Sequence, residues 1–211
     1  MELGKIVFYT KEQGPGSFPF HEKHLELLRK AAPDTQLVFT DWDEDKLLRE
    51  ADGCVAAVAQ NNRPLPTKFY KKAKDLKWVH CMMSGVDKMR VPGSEHVILT
   101  STKGVHGIPL SEHVLGLMLC AARGLHLSRD NQAKKAWSRP GGITELNGAT
   151  AGVVGLGLIG TEVARLLGAV GLNVVAMSAV PPTAGQAALI KEYYSTDRFR
   201  DFLAVCDYVI L

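Results

Sequence analysis

Several things are scarce or missing in this chain of 211 residues, and each absence removes a class of protein. No uninterrupted apolar run is long enough to span a bilayer. The most apolar stretch, Ala149 to Met177, is broken by Thr161, Glu162 and Arg165 and is rich in glycine, so it is expected to be buried α/β core. Cysteine is scarce. Cys54, Cys81, Cys120 and Cys206 lie far apart in apolar surroundings, without the close pairs that zinc sites and redox motifs need. All four are expected to be reduced core residues of a cytoplasmic protein. The chain also has no strong excess of one charge: the formal net charge is +3, and basic residues such as Lys71, Lys72, Lys74, Arg198 and Arg200 are scattered. Nucleic-acid binding gains little support from that pattern. The opening, MELGKIVFYT, has neither the long apolar core nor the small-residue cleavage site of a secretion signal, so secretion is not expected.

The sequence does contain an alternation of element types. Short β-branched or aromatic runs at Ile6 to Thr10, Gln36 to Thr40, Cys54 to Ala59, Trp78 to Met82 and Val97 to Thr100 alternate with helix-like stretches at His24 to Ala31, Asp45 to Ala51 and Lys68 to Lys74. This spacing predicts parallel sheets with helices on their faces. The polar, glycine-containing stretch Ser101 to Gly107 reads as a hinge between two units. A long apolar helix is expected over 109–124, with Pro109 at its first position and an apolar surface broad enough for central burial. Residues 124–148, with Trp137 and the Pro140-Gly141-Gly142 turn, read as a polar, irregular arm packed on something else. A second α/β unit opens at Ala149.

The most informative segment is Ala151 to Gly160, AGVVGLGLIG, an apolar strand running into a GxGxxG pattern with a helix pattern behind it. In that context Gly155 allows a tight turn, Gly157 lets the backbone approach a pyrophosphate, and Gly160 lets helix pack on strand. The exposed amides at the helix start, including those of Leu158 and Ile159, would bind phosphate. A glycine-rich turn with no ligand is the plainer alternative. An S-adenosylmethionine site usually has an acid just ahead of the glycines, and Ala149 to Val154 offers none. Ser178, at the end of the next strand, stands where a residue contacting the adenosine ribose belongs, roughly 20 residues after the glycines. It has no carboxylate to grip the ribose of NAD and repel a 2′-phosphate, and Ala179 supplies no arginine. Cofactor choice stays open between NAD and NADP, leaning to NADP, and Ser178 is equally readable as a plain strand-end residue.

The order of motifs resembles the D-isomer-specific 2-hydroxyacid dehydrogenase family, in particular glyoxylate or hydroxypyruvate reductases and related 2-keto acid reductases. Leu76-Lys77-Trp78-Val79-His80 followed by Ser84-Gly85-Val86-Asp87 resembles the family's strand and glycine turn. Gly104 to His113 resembles the crossing into the cofactor lobe, and Trp137, the glycine motif and Cys206 to Leu211 follow in family order. On residues alone Ser84 to Val86 is more simply a strand-to-helix turn, although a turn with outward amides is also a natural anion nest.

The resemblance implies a fold of two doubly wound parallel-sheet α/β lobes with a cleft between them. Residues 1–102 would form a flavodoxin-like substrate-binding lobe and 103–211 a Rossmann cofactor lobe, incomplete at its C-terminal end. It implies that Ser84, Gly85 and Val86 hold the carboxylate of a small 2-keto or 2-hydroxy acid. The cofactor would be bound by Ser84, Gly155, Gly157, Leu158, Ile159, Gly160 and Ser178. It also implies NAD(P)-dependent hydride transfer, and a homodimer formed through the cofactor lobe and the 124–148 arm. The family's catalytic arginine, glutamate and histidine lie downstream of the strand at Asp207 to Leu211. No catalytic residue is therefore expected here; the chain is expected to be a piece of a longer protein and to be inactive alone. His80, His106 and His113 do not stand at the family's catalytic position, and His21, His24, His96 and His126 show no metal-ligand pattern. A non-enzymatic dinucleotide sensor or corepressor of the same superfamily is the alternative. A different class of Rossmann enzyme fits the Ser84 to Asp87 and Gly104 to Glu112 segments less well.

Overall fold

The computed structural model describes residues 4–10 and 21–211, so the part of the opening formed by Met1, Glu2 and Leu3 lies outside the described residues. The chain divides into two compact units, the first ending at Lys103 and the second running from Gly104 to Leu211.

The first unit runs β1 (Lys5–Phe8), α1 (Glu22–Ala31), β2 (Gln36–Phe39), α2 (Glu44–Arg49), β3 (Cys54–Ala59), α3 (Thr67–Lys72), β4 (Trp78–Cys81) and β5 (Ile98–Ser101). Its five strands lie in the order β2-β1-β3-β4-β5, every neighbouring pair parallel. This is the doubly wound order of flavodoxin-like folds. The central strand β3, CVAAVA, is apolar at every position and almost wholly buried, as a parallel strand covered on both faces must be. Val7, Leu47, Phe69, Val79 and Met89 fill the core around it. Asp43 caps α2 by accepting a hydrogen bond from the Lys46 amide at 2.9 Å, and that bond holds its carboxyl below the usual range.

The second unit runs α4 (Gly107–Ala122), α5 (Leu125–Ala133), β6 (Thr150–Val154), α6 (Leu158–Ala169), β7 (Asn173–Met177), α7 (Ala184–Ala187), β8 (Glu192–Tyr194), α8 (Phe199–Ala204) and β9 (Tyr208–Ile210). The sheet order is β8-β7-β6-β9, again all parallel. With β6 counted as first strand this is the 3-2-1-4 order of a dinucleotide-binding half. Val153, Leu167, Val174 and Ala176 form the core between sheet and helices. Gly152 in β6 permits a close approach: an added Cβ would lie 2.3 Å from Cys206 Sγ and 2.6 Å from the Phe202 ring.

Residues 124–148 are not irregular throughout, because α5 occupies Leu125–Ala133. Its low apolar content hid it, and the left-handed Gly124 (φ +60°) that separates it from α4 looked like the end of all helix. The long helix begins at Gly107, so Pro109 occupies its third position, where a missing N–H still costs nothing because first-turn amides have no intrahelical acceptor. Nor is α4 centrally buried: Ser111, Met118 and Ala122 are buried, whereas Ile108, Leu110, Leu117 and Leu119 are exposed. One face of the helix packs against α6. Predicted strands ending at Thr10 and Thr40 stop at Phe8 and Phe39, and both threonines are buried just past the strand ends. Thr40 Oγ1 and the Thr40 amide both donate to the Phe8 carbonyl, at 3.1 and 3.0 Å, and the chain turns just beyond, at the left-handed Asp41 and Trp42 (φ +55° and +62°). Among the described residues no helix is long and apolar enough to cross a membrane.

Candidate functional site

In the second unit the three motif glycines serve different ends. Gly155 sits at φ +92°, a left-handed conformation that side chains disfavour, and its amide donates to the Met177 carbonyl at 2.7 Å, tying the loop to β7. Gly160 is held by contact: an added Cβ would lie 1.9 Å from the Gly155 carbonyl oxygen and 3.3 Å from Val153. Gly157, the residue before α6, has nothing within 4 Å of where a Cβ would project. The protein therefore requires glycine at 155 and 160, while the open space at 157 is a cradle that a side chain would fill.

The amides of Gly157, Leu158 and Ile159 have no acceptor among the described residues, and they stand at the start of a 12-residue helix. Unpaired amides and the positive helix end together suit an anion. Leu158 and Ile159 are exposed, at 70% and 43%. Backbone donors facing an open cradle fit the pyrophosphate of a dinucleotide.

Ser178 follows β7 directly and is half-buried. Its hydroxyl donates to the Val180 carbonyl, its amide donates to the Tyr194 carbonyl at 3.3 Å, and its own carbonyl accepts from Tyr193 Oη at 2.9 Å. Arg198, which follows β8, stacks on Tyr194 and pairs with Glu192 and Asp201. Sequence reasoning missed Gln186, which donates through Nε2 to the Leu156 carbonyl at 2.7 Å in the glycine loop. A sequence signal for it exists: Thr183-x-x-Gln186 is a capping-box pattern, and the structure shows both of its bonds.

In the first unit the turn after β4 carries Ser84, Gly85 and Val86. Ser84 Oγ donates to the Thr102 carbonyl at 2.7 Å, Cys81 Sγ donates to the Gly85 carbonyl at 3.4 Å, and the Val86 carbonyl accepts from the Met89 amide at 2.9 Å. The amides of Ser84, Gly85 and Val86 have no acceptor among the described residues. With the Gly85 and Val86 carbonyls engaged and the three amides free, the turn presents donors, as an anion nest does. Asn61, also missed in the sequence, steadies it by accepting from the Lys88 amide at 2.9 Å through Oδ1. The structure places these residues in the first unit and the glycine loop and Ser178 in the second.

The three tempting histidines are differently placed. His106 precedes α4 without a side-chain capping bond, and both His106 and His113 are exposed. His80 lies in a chain of polar groups across β4 and β5. Trp78 Nε1 donates to Thr100 Oγ1 at 2.8 Å, His80 Nδ1 lies 2.9 Å from that oxygen, and His80 Nε2 lies 3.2 Å from Thr102 Oγ1. Burial pushes the imidazole below its ordinary pKa. No group of three or more His, Cys, Asp or Glu side chains that could hold a metal occurs among the described residues.

Residues 115–211 match the family described as D-isomer specific 2-hydroxyacid dehydrogenase, NAD binding domain. The chain is 31% identical over 162 residues to the D-3-phosphoglycerate dehydrogenase of Archaeoglobus fulgidus, covering 75% of this chain and 30% of that protein. It is 31% identical over 194 residues to the D-3-phosphoglycerate dehydrogenase of Mycobacterium tuberculosis, covering 85% and 36%. The chain thus spans about a third of the length of these curated relatives. Among solved structures, a D-isomer specific 2-hydroxyacid dehydrogenase family protein from Aeromonas salmonicida superposes with a TM-score of 0.80 at 23% identity, over 98% of this chain and 63% of that one. The NAD-complexed D-isomer specific 2-hydroxyacid dehydrogenase of Lactobacillus delbrueckii superposes with a TM-score of 0.76 at 18% identity, over 97% and 61%. Those likenesses show the fold: two parallel α/β sheets of this kind. By its NAD-binding-domain match, its curated relatives and its fold, the chain belongs to the D-isomer specific 2-hydroxyacid dehydrogenase family.

Proposed function

We propose that this chain supplies the cofactor loop and the acid-binding turn of an NAD(P)-dependent dehydrogenase that interconverts a small 2-keto acid and its 2-hydroxy acid. The observation that carries the reading is the glycine loop, whose open cradle at Gly157 faces free amides while Gly160 closes the loop onto the helix. Gly155, Gly157, Leu158, Ile159 and Gly160 hold the pyrophosphate, and Ser178 lies at the adenosine ribose. Ser84, Gly85 and Val86 hold the substrate carboxylate through their amides. When bound, the nicotinamide supplies or takes up the hydride. Fixing the carboxylate orients the neighbouring keto carbon, which is how positioning lowers the barrier of a two-reactant step.

The family's arginine, glutamate and histidine roles are given to no residue among these 211, and proton transfer is not assigned to His80, His106 or His113. The protein is assigned to the cytoplasm on its four free cysteines. It is assigned a homodimer built on the cofactor unit and the 124–148 arm, where Leu125, Leu127, Trp137 and Ile143 are exposed.

The test is NAD(P)H oxidation with glyoxylate, hydroxypyruvate, pyruvate and longer 2-keto acids, run on a chain ending at Leu211 and on the full-length protein side by side. Turnover is expected only in the latter. Turnover by the short chain would move the acid–base work to His80, His106 or His113. Tight cofactor binding without turnover in the full-length protein would favour a dinucleotide sensor. Because Ser178 does not repel a 2′-phosphate, NADPH is expected to serve at least as well as NADH. Ser178→Asp is expected to shift preference towards NADH by about 1–3 kcal/mol, and a preference for NADH in the unsubstituted protein would overturn this.

A further inference from the structure

The Gln186 side chain uses its whole hydrogen-bonding capacity, and it does so between two parts of the cofactor unit. Its Nε2 donates to the Leu156 carbonyl at 2.7 Å and to Thr161 Oγ1 at 3.1 Å. Its Oε1 accepts from the Thr183 amide at 2.9 Å and lies 3.1 Å from Thr183 Oγ1. The orientation of the amide is fixed by chemistry: the Leu156 carbonyl can only accept and the Thr183 amide can only donate. Leu156 is the residue between Gly155 and Gly157, and Thr161 lies in the first turns of α6, with its hydroxyl 3.3 Å from the same Leu156 carbonyl. The segment from Ser178 to Thr183, which follows β7, is thereby tied to the glycine loop by one partly buried amide.

Turning the Leu156 carbonyl towards Gln186 has a consequence on the other side of the chain. A peptide unit is planar, so the direction of the Leu156 carbonyl sets the opposite direction for the Gly157 amide N–H in the same unit. That amide is the first of the three free donors. Glycine on both sides of Leu156 leaves the loop little conformational resistance of its own, so an outside restraint has something to hold.

We propose that Gln186 is a positioning residue for the cofactor. By fixing the Leu156 peptide it aims the Gly157 amide at the pyrophosphate, and by fixing Thr183 it makes the adenosine-side loop and the phosphate loop one rigid receptor. The inference rests on the cofactor-site reading above and adds to it a residue outside the glycine motif. It predicts that Gln186 matters for ligands carrying the pyrophosphate and little for the stability of the cofactor-free protein, since α7 and its loop lie on the surface.

The test uses the full-length protein, with ADP-ribose and NADH titrated by calorimetry or fluorescence and thermal unfolding measured without ligand. Gln186→Leu is expected to weaken both ligands about tenfold, the equivalent of one lost hydrogen bond to an aimed donor, with an unfolding midpoint near that of the unsubstituted protein. Gln186→Glu separates aiming from bulk. As a carboxylate it can still accept from Thr183 but sets an oxygen against the Leu156 carbonyl; protonated, it regains a donor. None of the described partners of Gln186, namely Leu156, Thr161 and Thr183, titrates. ADP-ribose binding by Gln186→Glu is therefore expected to recover relative to the unsubstituted protein as pH falls from about 8 to about 5, towards the ordinary carboxyl range. If the unsubstituted protein binds NADH and both variants bind it equally well at every pH, the inference fails while the cofactor site stands. If the unsubstituted protein binds neither of these ligands nor NADPH, the cofactor-site reading fails and the inference falls with it.

Discussion

At the scale of the residue, the glycine motif shows how identical side chains answer to different constraints. Gly160 is demanded by the protein, because a methyl there would drive into the Gly155 carbonyl 1.9 Å away. Gly157 is not demanded by the protein, because a methyl there meets nothing within 4 Å. The two alanine variants should consequently separate stability from binding. Gly160→Ala is expected to destabilise the cofactor unit by about 1–3 kcal/mol or more, as overpacking against backbone does, and to lose cofactor binding with it. Gly157→Ala is expected to leave the unfolding midpoint almost unchanged and still weaken NADH. Thermal unfolding and NADH titration on the pair check this, and a Gly157→Ala protein that binds NADH normally would remove the pyrophosphate from that cradle. The same logic places Cys54 among the inert thiols: burial pushes it up to about 11, so at neutral pH it carries almost no thiolate.

At the scale of the element, the informative pair is β4 and β5, whose register sets His80 opposite Thr100. A neutral imidazole suits the polar chain there: the Thr100 hydroxyl accepts from Trp78 and can donate to Nδ1, while Nε2–H donates to Thr102. Thr102 in turn receives the Ser84 hydroxyl on its carbonyl. Burial lowers the His80 pKa in the folded state, so the folded protein binds fewer protons than the unfolded chain near the ordinary histidine value. Stability from this group is then fully present above about pH 6.5 and is lost as pH falls through that value towards the lowered folded one. The unfolding midpoint is expected to drop on acidification from about pH 7.5 to about pH 5.5, and to drop less in His80→Gln. Identical slopes in the two proteins would show that His80 is not the group responsible.

At the scale of the whole molecule, the exposed apolar side chains of the second unit bear on assembly. Leu125 and Leu127 on α5 are exposed at 51% and 41%, and Trp137 beyond the helix is fully exposed at 106%. Under the proposed homodimer these side chains lose water on association, and replacing them with polar ones should shift the protein towards monomer. Sedimentation of Leu125→Ser with Trp137→Ser is expected to show that shift, while an unchanged mass would place any interface elsewhere.

Elements whose patterns are local are legible in the chain without its fold. The buried strand CVAAVA, the AGVVGLGLIG strand and loop, and the helix behind it could all be read because apolar periodicity and glycine placement act within a few residues. The sequence alone determined the family as well, since the motif order carried the resemblance. Tertiary structure decided what depends on partners distant in sequence. The helix α5 has too few apolar positions to announce itself, and the first helix of the second unit keeps an exposed face that its composition suggested would be covered. Gln186 acquires its role only because folding brings it, 30 residues away in sequence, within 2.7 Å of the Leu156 carbonyl. Asn61 meets the Ser84 to Lys88 turn in the same way, across the 27 residues that separate it from Lys88. A single polar side chain in a surface segment leaves no periodic trace, so its meaning is set by the atom it meets, and only the folded chain supplies that atom.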